Sequence, residues 1–396
     1  MNQFEIAVAA ASGVESVTKA ELRQLGVFDA AFTDGRAHFF GDFELLARCN
    51  LFLRTAERVY IRLGTFPAPD FDSLYEGIRS LNWRAFVPKN AKLRIDAKSN
   101  RSALGALSAI QSVSKKAAAH SLTGSKAAVL PENGASLRAE VAIARDTASV
   151  YLDSSGDGLH KRGYRDLSAA APLKETLAAT IIMLSGWQPG RPLCDPFCGS
   201  GTFAIEAAMI AANIAPGRSR TFDFVNFNGF PKEKWQQMQA AAHNTPSNPA
   251  ESAQGLSEQP GGQALPQAQG EPPKIYGFDI DPAMISMSLR HAKRAGVEGI
   301  HFQRQDVAQL RSRYSGGMIA TNPPYGQRLE DARAAENLYR TLAGAFAELD
   351  GWGACVITPH PRFESAFGRT AHKKRKLYNA NIECVLYQYF AKGAGR

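Results

Sequence analysis

Three short segments in the second half of the chain combine residue types that can do chemistry. They are Asp195-Pro-Phe-Cys198-Gly199-Ser200-Gly201-Thr202, Gly277-Phe-Asp279-Ile280-Asp281, and Ile319-Ala-Thr-Asn322-Pro323-Pro324-Tyr325-Gly326. In the third, two consecutive prolines stiffen a turn and remove two backbone donors, which leaves acceptors: the side-chain oxygen of Asn322 and the carbonyl of Pro323. Acceptors suit an exocyclic NH2, whose lone pair is delocalised into a ring and must be localised before it attacks a methyl group. Tyr325 adds a flat face on which a flipped base can stack.

The other two segments read as a binding site for a nucleotide-like molecule. Glycines at 199 and 201 allow close approach of backbone to a ligand, although a tight packing turn would use them equally well. The loop is not GxxxxGK[ST], and it lacks the third glycine of a GxGxxG dinucleotide turn. Asp279 is read as the acceptor for vicinal ribose hydroxyls and Asp281 as the cap of the following helix; either acid could serve only as a cap. Asp306, which ends HFQRQD, can accept an adenine amino group or sit in a solvated turn.

The elements that must hold these segments follow from periodicity. From Pro172 onwards strands and helices alternate, as in a parallel α/β sheet. A helix with Leu173, Leu177, Ile181 and Leu184 on one stripe precedes the strand RPLCD; then come KIYGFD, IHFQRQD, GGMIATN and GACVIT, with helices from Thr202, from Pro282 and over Asn337–Leu349. KRKLYNANIECVLYQYF reads as two antiparallel strands around Asn379-Ala-Asn381. Residues 1–65 form a small α+β module with a helix near Glu15–Gly26, and residues 66–158 a second one. In the latter, Leu137, Ala139, Val141 and Ile143 alternate with period two. Residues 244–273 are rich in Pro, Gln, Gly and Ser and read as a disordered insertion within a 159–396 domain.

The chain has 396 residues, 44% of them hydrophobic, and a formal net charge of +9, which favours a polyanionic partner. The charge is clustered: seven basic residues lie between Lys89 and Lys116 against one acid, Asp96. Further clusters are His160, Lys161, Arg162 and Arg165, then Arg369 with Lys373 to Lys376. Three such stretches suit a surface that tracks phosphates, though any one of them could be a solvated face. The five cysteines are odd in number and scattered, so neither disulfides nor a metal site is expected. The opening residues lack a basic then apolar leader, and no apolar run is long enough to span a membrane, so a cytoplasmic location is the expectation.

Taken in order, DPFCGSGT, GFDID and NPPYG resemble the class I S-adenosylmethionine methyltransferases that act on amino groups, over about residues 165–396. The resemblance implies a Rossmann-like parallel sheet with a C-terminal antiparallel hairpin. It places S-adenosyl-L-methionine against Asp195, Cys198, Gly199, Ser200, Gly201, Thr202, Asp279, Ile280, Asp306 and Asn322, and the target amine at Asn322, Pro323 and Tyr325. Cys198 departs from the common DxFxGxG form of the loop. HKRGYR (160–165), APLKETLAATII (171–182) and the N-terminal α+β regions resemble RNA methyltransferases with a THUMP domain, in particular those making N2-methylguanosine in 23S rRNA. That resemblance implies a ferredoxin-like module at 1–65, a THUMP-like module at 66–158, and RNA contacts at Lys92, Arg94, Lys98, Lys161, Arg162 and Arg165. Transfer-RNA guanine-N2 methylation, adenine-N6 methylation of DNA, glutamine methylation in a protein, and a non-catalytic RNA-binding role are the competing readings.

Overall fold

Apolar alternation in the N-terminal region produces one seven-stranded sheet. Its strands are β1 (Phe4–Ala10), β2 (Ala31–Thr33), β3 (Arg36–Gly41), β4 (Ala56–Pro67), β5 (Lys92–Asn100), β6 (Ser136–Ala144) and β7 (Thr147–Asp153), in the order β2-β3-β1-β4-β7-β6-β5. All pairings are antiparallel except β5 with β6, whose crossover is the helix Leu107–Thr123. On β6, Leu137, Ala139, Val141 and Ile143 are buried, as their spacing requires. Arg36 and Glu140 form a buried ion pair, and the Arg36 guanidinium lies 4.8 and 3.9 Å from the ring centroids of Tyr60 and Tyr151.

This computed structural model describes residues 3–127, 129–166, 173–244, 274–325 and 329–391. Pro172, Gly326 and the 245–273 stretch of the expected insertion lie outside the described residues. The chain packs as two units: one is made of residues 1–10, 25–159 and 220–243, the other of 11–24, 160–219 and 244–396. Packing therefore does not follow chain order. Glu15–Gln24 joins the second unit, where it packs on the helix Glu175–Leu184. Residues 220–243 join the first, through an aromatic group in which Phe230 meets Phe43 edge-on at 5.5 Å and Trp235 meets Phe224 at 5.0 Å.

The second unit is the parallel sheet that the strand-helix alternation predicts. Its strands are β8 (Leu193–Asp195), β9 (Ile275–Asp279), β10 (Ile300–Arg304), β11 (Met318–Thr321), β12 (Gly353–Thr358), β13 (Lys373–Asn379) and β14 (Ile382–Tyr389). The order is β10-β9-β8-β11-β12-β14-β13, parallel from β10 to β12, with β14 antiparallel to β12 and β13 antiparallel to β14. Chain order reverses beside β8, and a crevice opens at such a point above the C-terminal strand ends. The helices Thr202–Ala211 and Pro282–Ala295 leave β8 and β9; Asp281 caps the latter by accepting from Ala283 N at 2.8 Å. The helix before β12 runs Leu329–Ala347, longer than the apolar stripe indicates because residues 330–336 are only alanines and charged residues, with no large apolar side chain to mark a stripe. Among the described residues no helix is long and apolar enough to cross a membrane.

Gly277 in β9 lets the glycine loop settle onto the sheet: a Cβ there would stand 2.6 Å from the Phe302 ring and 3.2 Å from Cys198 Cβ. Gly277→Ala is expected to lower the unfolding free energy by about 1–3 kcal/mol through overpacking. Urea denaturation reads this, and an unchanged midpoint would mean that Phe302 swings aside without cost.

Candidate active site

All three chemistry-bearing segments end at the C-terminal edge of the parallel sheet, because each follows a parallel strand. They border a single cleft of about 540 Å³. Asp195, Cys198, Gly199, Ser200, Thr202, Asp279, Ile280, Asp306, Asn322, Pro323 and Tyr325 line it. Phe197, Met284, Gln305 and Leu338 line it as well, and nothing in their residue types signals this in the sequence.

The two loop glycines do different work. Gly199 has φ +50° with open space where a Cβ would point, and it lines the cleft. Gly201, expected against the cofactor, does not line it: at φ +83° its missing Cβ would lie 3.0 Å from Ser288 and 3.1 Å from Phe302. Its role is the packing turn, a position closed to a larger side chain by both φ and space.

The loop is held from behind. Ser288 Oγ donates to the Gly199 carbonyl at 2.8 Å, and His291 Nδ1 donates to the Ser200 carbonyl at 3.1 Å. In front, Gly199 N–H donates to Asp279 Oδ2 at 2.9 Å, and Asp281 N–H donates to Asp279 Oδ1 at 3.0 Å. A carboxylate has about four acceptor positions, so Asp279 keeps two for hydroxyls. Asp306 Oδ1 caps a turn by accepting from Ala308 N at 2.8 Å, which leaves its second oxygen for a donor in the cleft. Ile280, between two acids, is 62% exposed and offers an apolar face at the cleft.

Asp195 is buried. Its Oδ1 accepts from Thr321 Oγ1 at 2.6 Å and from Phe197 N at 3.1 Å, tying β8 to the residue before Asn322. Burial outweighs these hydrogen bonds and pushes its carboxyl up to about 7. Burial likewise raises the Cys198 thiol, so this sulfur is held as a thiol and is no nucleophile. Asn322 and Tyr325 are half-buried, and among the described residues the Asn322 side chain makes no hydrogen bond.

Two of the expected RNA contacts need correction. Arg162 is 3% exposed and pairs with the fully buried Glu206 at 3.5 Å, which also accepts from Tyr164 Oη at 3.2 Å. Arg165 donates to Thr202 Oγ1 at 2.6 Å and to the Leu173 carbonyl at 3.0 Å, and faces Glu175 at 3.5 Å. These guanidiniums neutralise buried acids behind the cleft; only Lys161 of that trio is exposed. By contrast Lys92, Arg94 and Lys98 project from one side of β5 and are exposed.

The RMKL-like methyltransferase domain of the UPF0020 family matches residues 162–388, more than half of the chain. The chain belongs to this family. In addition, the RlmL ferredoxin-like domain matches residues 5–60 of this UPF0020 member and the THUMP domain matches 68–153. "Putative RNA methyltransferase YpsC" of Bacillus subtilis (strain 168) is 37% identical over 99% of the chain and 97% of its own length. Crystal structures of similar chains include SMU.472, described as "a putative methyltransferase complexed with SAH", at 36% identity, TM-score 0.87 and full coverage of both chains. Another, from Listeria monocytogenes and described as "a predicted N6-adenine-specific DNA methylase", is 37% identical, with TM-score 0.87 over 99% of this chain and 97% of that one.

The buried Asp195 carboxyl sets a pH dependence for this family member. Because its folded-state value lies above the unfolded one, folding takes up a proton, and that contribution to stability is lost as pH rises from about 4 to 7. Asp195→Asn should therefore have a flatter unfolding free energy between pH 5 and 8 than the parent chain. Parallel urea-denaturation profiles for the two proteins would contradict the assignment.

Proposed function

We propose that this UPF0020 chain is an S-adenosylmethionine-dependent RNA methyltransferase that methylates an exocyclic amino nitrogen, namely guanine N2 in 23S rRNA. The observation that carries the reading is the meeting of a proline-stiffened turn, Asn322 to Tyr325, in which Pro323 and Pro324 carry no backbone donor, with Asp195, Asp279 and Asp306 in one cleft. Carboxylates, an exposed Ile280 and an open glycine suit a nucleoside whose other end is cationic. Asp279 holds ribose hydroxyls, Asp306 the adenine amino group, and Ile280 one face of the adenine. When bound, S-adenosylmethionine supplies an electrophilic methyl group.

The side-chain oxygen of Asn322 and the carbonyl of Pro323 accept the two amine hydrogens and aim the nitrogen lone pair at that methyl group, while Tyr325 stacks on the base. Transfer is direct, with no covalent intermediate on the enzyme, and the methylated amine loses its proton to solvent. In this reading residues 1–65 and 66–158 form the RNA-gripping modules and 159–396 the transferase. The THUMP match and the name of the Bacillus relative favour RNA over DNA, whereas the name of the Listeria relative favours adenine N6.

Mass spectrometry of nucleosides from a strain lacking the gene should reveal the loss of N2-methylguanosine from 23S rRNA; loss of an N6-methyladenine instead would transfer the reading to adenine. Asn322→Ala should cut turnover by about 100-fold or more while calorimetry finds cofactor affinity within about twofold. An equal fall in affinity would place this residue at the cofactor alone. Charge reversal at Lys92, Arg94 and Lys98 should weaken RNA binding and flatten its salt dependence. Unchanged binding would remove β5 from the RNA path.

A further inference from the structure

The acceptor turn is supported by a buried chain of hydroxyls that plays no direct part in binding either substrate. Tyr339, on the helix Leu329–Ala347, is fully buried, and its Oη lies 2.9 Å from the Pro324 carbonyl and 3.3 Å from Thr358 Oγ1. Thr358 closes β12 and is itself fully buried; its Oγ1 lies 3.1 Å from His360 N. The direction of each bond follows from donor and acceptor chemistry. The Pro324 carbonyl can only accept, so Tyr339 donates to it. The Tyr339 oxygen is then free to accept, and Thr358 donates to it. His360 N–H completes the series by donating to Thr358. The sequence runs His360 N–H to Thr358 Oγ–H to Tyr339 Oη–H to the Pro324 carbonyl, each link polarising the next.

The anchored carbonyl belongs to the peptide unit between Pro324 and Tyr325. Fixing its plane fixes where the Tyr325 ring leaves the backbone. The Tyr339 hydroxyl also takes up one of the two acceptor positions of the Pro324 carbonyl. The Tyr339 ring is clamped in turn, edge-on to His360 at 5.5 Å and to Phe363 at 5.0 Å. Burial pushes the phenol up to about 12, so it stays a donor throughout the working range.

We infer that Tyr339 is a positioning residue for methyl transfer: through its hydroxyl it sets the Pro324–Tyr325 peptide, and with it the geometry of the Asn322–Tyr325 turn toward the target amine. The inference rests on the assignment of that turn to the amine. Tyr339 does not itself line the cleft; it meets the lining residue Pro324 at its carbonyl, on the amine side of the site and away from the glycine loop, Asp279 and Asp306, so cofactor binding should not sense it.

The test uses the full chain, tritiated S-adenosylmethionine and total RNA from a strain lacking the gene, and reads total methyl incorporation whatever base is modified. Tyr339→Phe keeps the ring and removes the hydroxyl; kcat should fall about 10- to 100-fold, the scale of a small misplacement of reacting groups, with cofactor Kd within about twofold. Thr358→Val should shift kcat the same way by a smaller factor, and Thr358→Ser should restore it. A Tyr339→Phe protein that retains half or more of the parent kcat overturns the inference, as does a cofactor Kd that rises in parallel with the loss of kcat. Should Tyr339→Phe fail to fold, Thr358→Val decides: an unchanged kcat overturns, and a drop reversed by Thr358→Ser supports. Methylation at an atom other than an exocyclic amine would overturn the proposed function while leaving the comparison between these variants readable.

Discussion

The hydrogen bond from Thr321 Oγ1 to the buried carboxyl of Asp195 joins the two sides of the cleft. Asp195 ends the strand before the glycine loop, and Thr321 ends the strand before Asn322. β8 and β11 are neighbours in register, Met318 opposite Leu193 and Ile319 opposite Cys194. Their ends diverge into a loop on one side and a proline turn on the other, so without a tie the distance between the two would depend on flexible backbone. In a site with little water the bond is strong, and the same lack of water raises the carboxyl toward neutrality.

Around this tie the polar groups are divided by direction. The carbonyls of Gly199 and Ser200 turn away from the cleft and are satisfied by Ser288 and His291 from the helix Pro282–Ala295. On the opposite wall the Pro324 carbonyl is satisfied by Tyr339. What faces the interior is a selected remainder: carboxylate oxygens, the Asn322 amide, and apolar surface from Ile280, Phe197 and Met284. A buried polar group left without a partner costs free energy, so each carbonyl anchored behind the wall both stabilises the wall and narrows what the cleft can recognise.

The basic residues separate in the same way. Lys92, Arg94 and Lys98 stand on a strand at the edge of the first sheet, with their charges in water, where long-range attraction to phosphate operates. Arg162 and Arg165 are as basic but are consumed by Glu206 and Glu175 inside the second unit. Lys98 also meets a buried acid, with its Nζ 3.0 Å from Glu140, yet its side chain stays largely exposed, so what separates the two groups is the burial of the cation itself.

Much of this arrangement was legible from residue order. The strand-helix alternation, the Asp281 cap, the C-terminal hairpin and the gathering of DPFCGSGT, GFDID and NPPYG at one sheet edge follow from local periodicity and from the fact that parallel strands align their C-terminal ends. The partners of individual side chains were not legible, because they come from residues far apart in the chain. Gly201 serves packing since Ser288 and Phe302 stand against it; Arg162 is buried since Glu206 lies on a helix 44 residues away. Tyr339 sits among Ala335, Leu342 and Phe346 in an apolar stripe and reads as core until β12 and the proline turn are brought to its hydroxyl. Residue types and spacing determined which groups the cleft could contain; which of them face it, and in what state of hydrogen bonding, was decided by contacts that only the folded sheet creates.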